Sequence, residues 1–194
     1  MIAPSLIIKA ITGIPLIQPH DDLATIIVRA LDSMDETLQT GDVLVVSSKI
    51  ISKSENRYAD LRDITPSDEA VKLAKETDKD PCIVHLVLQE SIGISRKGFR
   101  VLVTQHRLGF TSANAGIDQS NVGDDNKVLL LPLNPDESAQ QLRAQLAEKL
   151  GVSIGIVISD THGRPFRMGN VGVAIGVAGV PAVVDLRGTH DLFG

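Results

Sequence analysis

Apolar residues recur at helical spacing between positions 22 and 38. Leu23, Ile26, Ile27, Ala30, Leu31 and Met34 share one face. Asp21 is a suitable cap for that helix. Gly41 and Asp42 then interrupt the chain. A β-rich run of buried type follows: Val43, Leu44, Val45, Val46, Ser47, Ser48, Lys49, Ile50 and Ile51. Thr65-Pro66-Ser67-Asp68 reads as a capped helix start with Pro at the first helical position. Residues 81–90 read as a further helix, and residues 101–104 and 128–131 as strands. Asn134-Pro135-Asp136-Glu137 opens the clearest helix, which ends at Leu150 before Gly151. Residues 153–159 form another apolar strand, and the Gly/Val/Ala run beyond them predicts one or two more. Helices and strands alternate only in part. The pattern therefore predicts an α+β (mixed α/β) fold over a doubly wound sheet.

Length and composition narrow this picture. A chain of 194 residues with 43% apolar content supports one good-sized core or two small lobes. No repeat, low-complexity tract or linker divides it, so one domain over residues 1–194 is expected. Trp is absent and Tyr58 is the only tyrosine, so the core must be aliphatic. A net charge of −5 offers no basic footprint for nucleic acid or an anionic membrane. The longest apolar stretch, 171–184, is broken by Gly172, Gly176, Gly179 and Pro181. It is too short and too punctuated for a membrane span. The N-terminus lacks the basic–apolar–small order of a signal peptide. Cys82 is the single cysteine, which excludes an intrachain disulfide and makes the cytoplasm the expected compartment.

Several common motifs are missing. There is no G-x-x-x-x-G-K-[ST] loop, no G-x-G-x-x-G, no H-E-x-x-H and no G-x-S-x-G. P-loop ATPase, Rossmann dehydrogenase, zincin and serine-hydrolase readings lose their support. The five histidines, at 20, 85, 106, 162 and 190, form no pair at metal-ligand spacing. His85 reads as a packed helix residue, and His162 sits in a polar loop where chemistry is conceivable.

Three polar segments stand out. In the first, an apolar strand delivers Asp160 and Thr161 at its C-terminal end, before His162-Gly163-Arg164-Pro165-Phe166-Arg167. Ligands commonly bind beyond such strand ends. An Asp there can hold a hard cation, a hydroxyl can add a ligand, and arginines can hold phosphate or carboxylate. The plain alternative is a surface turn with solvated arginines. The second segment, Ala113-Asn114-Ala115-Gly116-Ile117-Asp118-Gln119-Ser120-Asn121-Val122, is small and polar and carries Asp118. It allows close backbone approach to a ligand, or is a loop of turn formers. The third, residues 47–57, places Lys49, Lys53 and several hydroxyls after a buried strand. Lysine suits phosphate as a compact point charge, and a solvated strand end is the alternative. Together the segments could bind a metal–polyphosphate complex without a P-loop. The residues alone name no substrate.

These segments also resemble the coenzyme F420-0:L-glutamate ligase family, often called CofE. The resemblance is carried by Gly13-Ile14-Pro15-Leu16-Ile17 with Asp21-Asp22-Leu23, Gly41-Asp42-Val43-Leu44-Val45-Val46 and Ser48-Lys49-Ile50-Ile51-Ser52-Lys53. It continues through residues 112–122 (SANAGIDQSNV) and 159–167 (SDTHGRPFR). Asp185-Leu186-Arg187-Gly188 and Asp191-Leu192-Phe193-Gly194 close it, so it runs the length of the chain in order.

The resemblance implies a GTP-dependent ligase. It would join L-glutamate to the lactyl carboxylate of the deazaflavin F420-0 and extend a γ-glutamyl tail, through an acyl phosphate. It implies Mg²⁺ or Mn²⁺, two ions being expected, with K⁺ as a helper. Asp118, Asp160 and Thr161 match metal-binding positions. Ile14, Pro15, Leu16, Ile17, Ser48, Lys49, Lys53 and Asn121 match guanine-nucleotide contacts. Asp118, Asp160 and Arg164 are the expected catalytic residues. A homodimer is implied, with mixed sheets and flanking helices. Family members continue for several dozen residues beyond the equivalent of Gly194, and that stretch supplies a further metal and nucleotide contact. The resemblance therefore implies a C-terminally shortened fold. Asn56 stands where many members have Gly. A related carboxylate–amine ligase with another acceptor, or a non-catalytic nucleotide-binding homologue, stays open at this point.

Overall fold

Asp22 begins the first helix, α1 (Leu23–Ser33), by accepting a hydrogen bond from Thr25 N at 3.0 Å. The structure, a computed structural model, describes residues 5–120, 125–163 and 168–190. Asp21 does not cap α1; its carboxylate accepts from Gln18 N in the preceding turn. The helix also stops before residue 38, because Asp35 takes a left-handed conformation at φ 52°.

The apolar run 43–51 is not one strand. β1 (Val43–Ser47) ends at Ser47, and α2 (Ser48–Ser54) starts at the next residue. Ile51 and Ser52 are buried on α2, and this burial outweighs the β preference of the two isoleucines. Nor is β1 buried on both faces. Leu44 and Val46 point inward, whereas Val43 and Val45 are exposed. After α2, Asn56 adopts φ 54°. Asparagine is one of the few residues besides glycine that tolerates this region, so the turn accepts either.

β2 (Tyr58–Asp60) pairs antiparallel with β6 (Lys127–Leu129). α3 (Asp68–Thr77) is capped by Ser67, so Pro66 precedes the cap instead of opening the helix. α4 (Pro81–Gln89) has Asp80 as its cap and Pro81 in its first turn. β3 (Ser91–Gly98), β4 (Val101–His106) and β5 (Thr111–Ala113) form an antiparallel sheet in that order. β3 is largely exposed, so no apolar alternation betrays it in the sequence.

α5 (Pro135–Leu150) follows its Asn134 cap and ends at Gly151, which sits at φ 70°. β7 (Gly155–His162) and β8 (Val171–Ala178) complete the third sheet, in the order β1-β7-β8. β1 runs parallel to β7, and β8 antiparallel to it. The Gly/Val/Ala run thus makes one strand. No helix among the described residues is long and apolar enough to cross a membrane.

Two aliphatic cores result. One packs α1, α2 and α5 against β1, β7 and β8 through Leu31, Leu44, Ile51, Leu146, Ile156 and Ile158. The other packs α3 and α4 against β4 and β6 through Leu73, Val84, Val87, Leu102 and Val128. The fold is the expected α+β type. It places the end of β7, the start of α2 and the segment after β5 around one cleft.

Candidate active site

α2 is the element that gathers the site. It leaves the β1 end at the point where β1 lies beside β7, with Ser47 opposite Ser159. Ser48 therefore starts next to Asp160, and its buried hydroxyl donates to Asp160 Oδ1 at 2.7 Å. Lys49, the next residue, forms an ion pair with Asp118 and donates to Ser120 Oγ at 3.1 Å.

Asp118 is positioned by its backbone. Its N–H donates to Leu129 O at 2.9 Å, and its carbonyl accepts from Leu129 N at 2.8 Å. The preceding 3-10 turn, Asn114–Gly116, contains two non-glycine residues with positive φ, Asn114 and Ala115. Gly116 continues at φ 69°, with Leu131 packed where a Cβ would lie. Only a glycine fits there without displacing Leu131. Ser120 then donates to Asp118 Oδ1 from its N–H at 2.8 Å and from its hydroxyl at 2.7 Å. Partial burial opposes ionisation of Asp118. The Lys49 and Ser120 hydrogen bonds outweigh it and hold this carboxyl below the usual carboxylate range.

Asp118 and Asp160 line the same cleft, with Ser48, Lys49, Ser52 and Leu130 among the other walls. The Ser52 hydroxyl is buried there and has no hydrogen-bond partner among the described residues. Two carboxylates with flanking hydroxyls are hard oxygen donors, which suit Mg²⁺ or Mn²⁺ more than a soft metal. The described residues include no cluster of three or more acidic, His or Cys side chains that would enclose an ion unaided. A cation here would complete its shell with waters or with oxygens of a bound molecule, as Mg²⁺ commonly does with phosphates.

The remaining expected residues divide. Lys53 lies one helical turn beyond Lys49, on the same face of α2. The segment holding Ile14, Pro15, Leu16 and Ile17 is anchored by Ile17, which is buried in the first core, and by Ile14, which packs against it. Pro15 and Leu16 are exposed. His20 N donates to Ser54 O at 2.7 Å and ties this segment to the end of α2. Thr161 is exposed and follows on the face of β7 opposite Asp160, so its side chain does not join Asp118 and Asp160. Asn121 and Arg164 lie outside the described residues.

Behind the cleft sits a network with no signal in the sequence. Glu90 accepts from Arg57 at 3.3 Å and from Arg107 at 2.9 Å, and His106 Nε2 lies 3.6 Å away. Burial works against the Glu90 charge, but His106, Arg107 and Arg57 together hold its pKa at about 2. Arg57 also donates to Leu131 O at 2.8 Å, on the strip that lines the cleft. His162, expected in a loop, is instead buried at the end of β7.

Comparison with known proteins agrees with this geometry. A profile of the F420-0:Gamma-glutamyl ligase family matches residues 12–194. The chain is 45% identical over 184 residues to the coenzyme F420:L-glutamate ligase of Methanothermobacter thermautotrophicus, covering 95% of this chain and 73% of that protein. It is 43% identical over 191 residues to the ligase of the same name from Methanopyrus kandleri, covering 98% and 73%. The corresponding protein of Archaeoglobus fulgidus is 42% identical over 184 residues, covering 95% and 71%. With a profile match over nearly its whole length and relatives 42–45% identical, the chain belongs to the F420-0:gamma-glutamyl ligase family.

Proposed function

We propose that this chain joins L-glutamate to the lactyl carboxylate of coenzyme F420-0 at the expense of GTP, and extends the γ-glutamyl tail. The observation that carries the reading is the placement of Ser48 on Asp160 and Lys49 on Asp118 by consecutive residues of α2. Two carboxylates and a lysine from three distant segments thereby face one cleft. This is a charge pattern that fits a metal–triphosphate without a P-loop.

A carboxylate does not accept an amine until one oxygen becomes a leaving group. The F420-0 carboxylate would attack the γ-phosphorus of GTP, forming a C–O–P linkage as the bond to GDP breaks. The glutamate amine would then attack the acyl carbon, forming the amide, releasing inorganic phosphate and losing a proton to solvent. Asp118 and Asp160 would hold two divalent ions. Such ions, when bound, neutralise phosphate charge and polarise the γ-phosphoryl group. Lys49, released from Asp118, would hold phosphate as a point charge. Lys53, Asn121 and the segment Ile14 to Ile17 would contact the nucleotide, Arg164 would steady the transferring phosphoryl group, and K⁺ would assist nucleotide binding. No enzyme nucleophile is needed. Cys82 is unsuited to that role, because burial and then the Asp80 charge push its thiol up.

We further infer a homodimer in the cytoplasm. Among the described residues β1 is the edge of its sheet, with Val43 and Val45 exposed, and Val183, Val184 and Leu186 are exposed as well. Such a surface favours a second chain. Sedimentation velocity at micromolar concentration should give twice the 20.7 kDa chain mass. A single cysteine accords with a reducing compartment.

The test of the activity is mass spectrometry of a mixture of this chain, GTP, Mn²⁺, K⁺, glutamate and F420-0. A product heavier by one glutamyl unit, formed only with GTP, is expected. No product, while the Methanothermobacter protein turns over in parallel, would overturn the reading.

A further inference from the structure

His162 takes no part in the contacts used above, yet its surroundings are those of a working residue. The ring is 8% exposed and shares a face of β7 with Asp160, two residues earlier. Its Nε2 lies 3.0 Å from Asp160 Oδ2, the oxygen that Ser48 leaves free. The pair falls short of hydrogen-bond geometry, and this buried nitrogen has no hydrogen-bond partner among the described residues. Burying such a group without a partner is costly.

The ring is seated by aromatic contacts. Phe110 packs against it with centroids 4.9 Å apart at 45°. His106 stacks on Phe110 in turn, at 4.8 Å and 5°. The turn between β4 and β5 carries Phe110, whose carbonyl accepts from His106 N at 2.7 Å. An aromatic row thus runs from the Glu90 network to the carboxylate of the cleft.

We propose that His162 is a positioning residue for Asp160. A small turn of the ring would aim Nε2 at Oδ2 and brace it while Ser48 braces Oδ1, so the carboxylate keeps one orientation when a divalent cation is taken up. The inference rests on the reading of Asp160 as a metal ligand. Groups that orient a ligand in this way typically change metal affinity by about 10–100-fold when lost.

The experiment measures Mn²⁺ binding to the full chain without nucleotide, by electron paramagnetic resonance of free Mn²⁺, together with the thermal unfolding midpoint. Wild type is compared with Asp160→Asn, His162→Phe and His162→Gln. Phenylalanine keeps a ring against Phe110 but has no nitrogen, whereas glutamine restores a nitrogen near Nε2 without the ring. His162→Phe is expected to weaken Mn²⁺ binding about 10–100-fold. Its unfolding midpoint should stay within about 3 °C of wild type. His162→Gln should recover most of the lost affinity. Wild-type affinity in His162→Phe, with Asp160→Asn defective, overturns the positioning role and leaves the metal reading intact. Equal weakness of the Phe and Gln variants also overturns it, since a restored nitrogen would then recover nothing. Wild-type affinity in Asp160→Asn overturns the metal reading and this inference with it. Should His162→Phe fail to fold, Phe110→Leu decides. It loosens the seat of the ring and should weaken binding severalfold; unchanged binding overturns the proposal.

Discussion

Ser48 and Asp160, 112 residues apart in the chain, meet through a 2.7 Å hydrogen bond from the serine hydroxyl to Oδ1. The parallel pairing of β1 with β7 makes this meeting unavoidable. Ser47 is in register with Ser159, so the next residue of each strand reaches the same end of the sheet. Ser48→Ala removes a hydrogen bond to a charged group, worth about 1.5–3 kcal/mol. kcat/KM for GTP-dependent glutamylation should fall roughly tenfold to hundredfold, while circular dichroism reports an intact fold. Unchanged kinetics would show that Asp160 needs no such support.

Lys49 occupies Asp118 when nothing else does. A cation taken up by Asp118 must displace that ammonium group. Lys49→Met should therefore bind Mn²⁺ more tightly than wild type in the absence of nucleotide. The same variant loses a phosphate contact, so its KM for GTP should rise about tenfold, the loss of one modest charge-assisted contact. Titration with Mn²⁺ alone and steady-state kinetics read the two effects separately. Movement of both in the same direction would contradict the arrangement.

Glu90 ties acid stability to the network behind the cleft. Its folded pKa of about 2 lies below the ordinary value of 4.5. A depressed carboxylate contributes stability above its unfolded pKa and loses it as pH falls through the folded one. The contribution is on the order of 3 kcal/mol at neutral pH. It should be complete above about pH 4.5 and fade towards pH 2. Urea unfolding of wild type and Glu90→Gln should differ by about that amount at pH 7. The gap should narrow steadily below pH 4.5. A gap independent of pH would refute the assignment.

Gly176 marks where β8 touches the start of α5. A Cβ at that position would stand 2.5 Å from the Pro135 carbonyl carbon and oxygen. Backbone cannot yield as a side-chain tip can, so Gly176→Ala should cost about 3 kcal/mol. By contrast, Gly98→Ala meets nothing within 4 Å and has an ordinary backbone, so it should be nearly neutral. Thermal unfolding of both variants checks the contrast.

Elements that carry their own chemistry were legible in the sequence. α5 has Asn134 before it and Gly151 after it, and both act as the pattern predicts. The whole of α1 and the first four residues of β4, 101–104, follow from apolar spacing in the same way. The segments containing Asp118 and Asp160 stood out because polar, small and charged residues interrupt an aliphatic chain. Boundaries were less legible. The strand through Ile51 was wrong because local preference for β-branched residues lost to burial of Ile51 and Ser52 on α2. The cap at Asp21 was wrong because two adjacent aspartates have the same chemistry, and only the path of the chain chooses between them.

The sequence by itself determined the α+β class, the aliphatic cores, the family and the residue types of the site. Those depend on composition, spacing and motif, which are local properties. Only the tertiary structure decided which partner each residue meets. Ser48 could reach Asp160 only once β1 lay parallel to β7, and Lys49 could reach Asp118 only because α2 turns away at that point. Glu90, Arg57, Arg107 and His106 converge from separate elements, and no short-range pattern encodes their meeting. His162 reads as a loop residue in sequence because polar neighbours surround it. The added pairing of β7 with β8 up to Val171, and the Phe110 ring from a distant turn, bury it beside Asp160. Long-range register and packing set these contacts, and they exist only when the whole chain is folded.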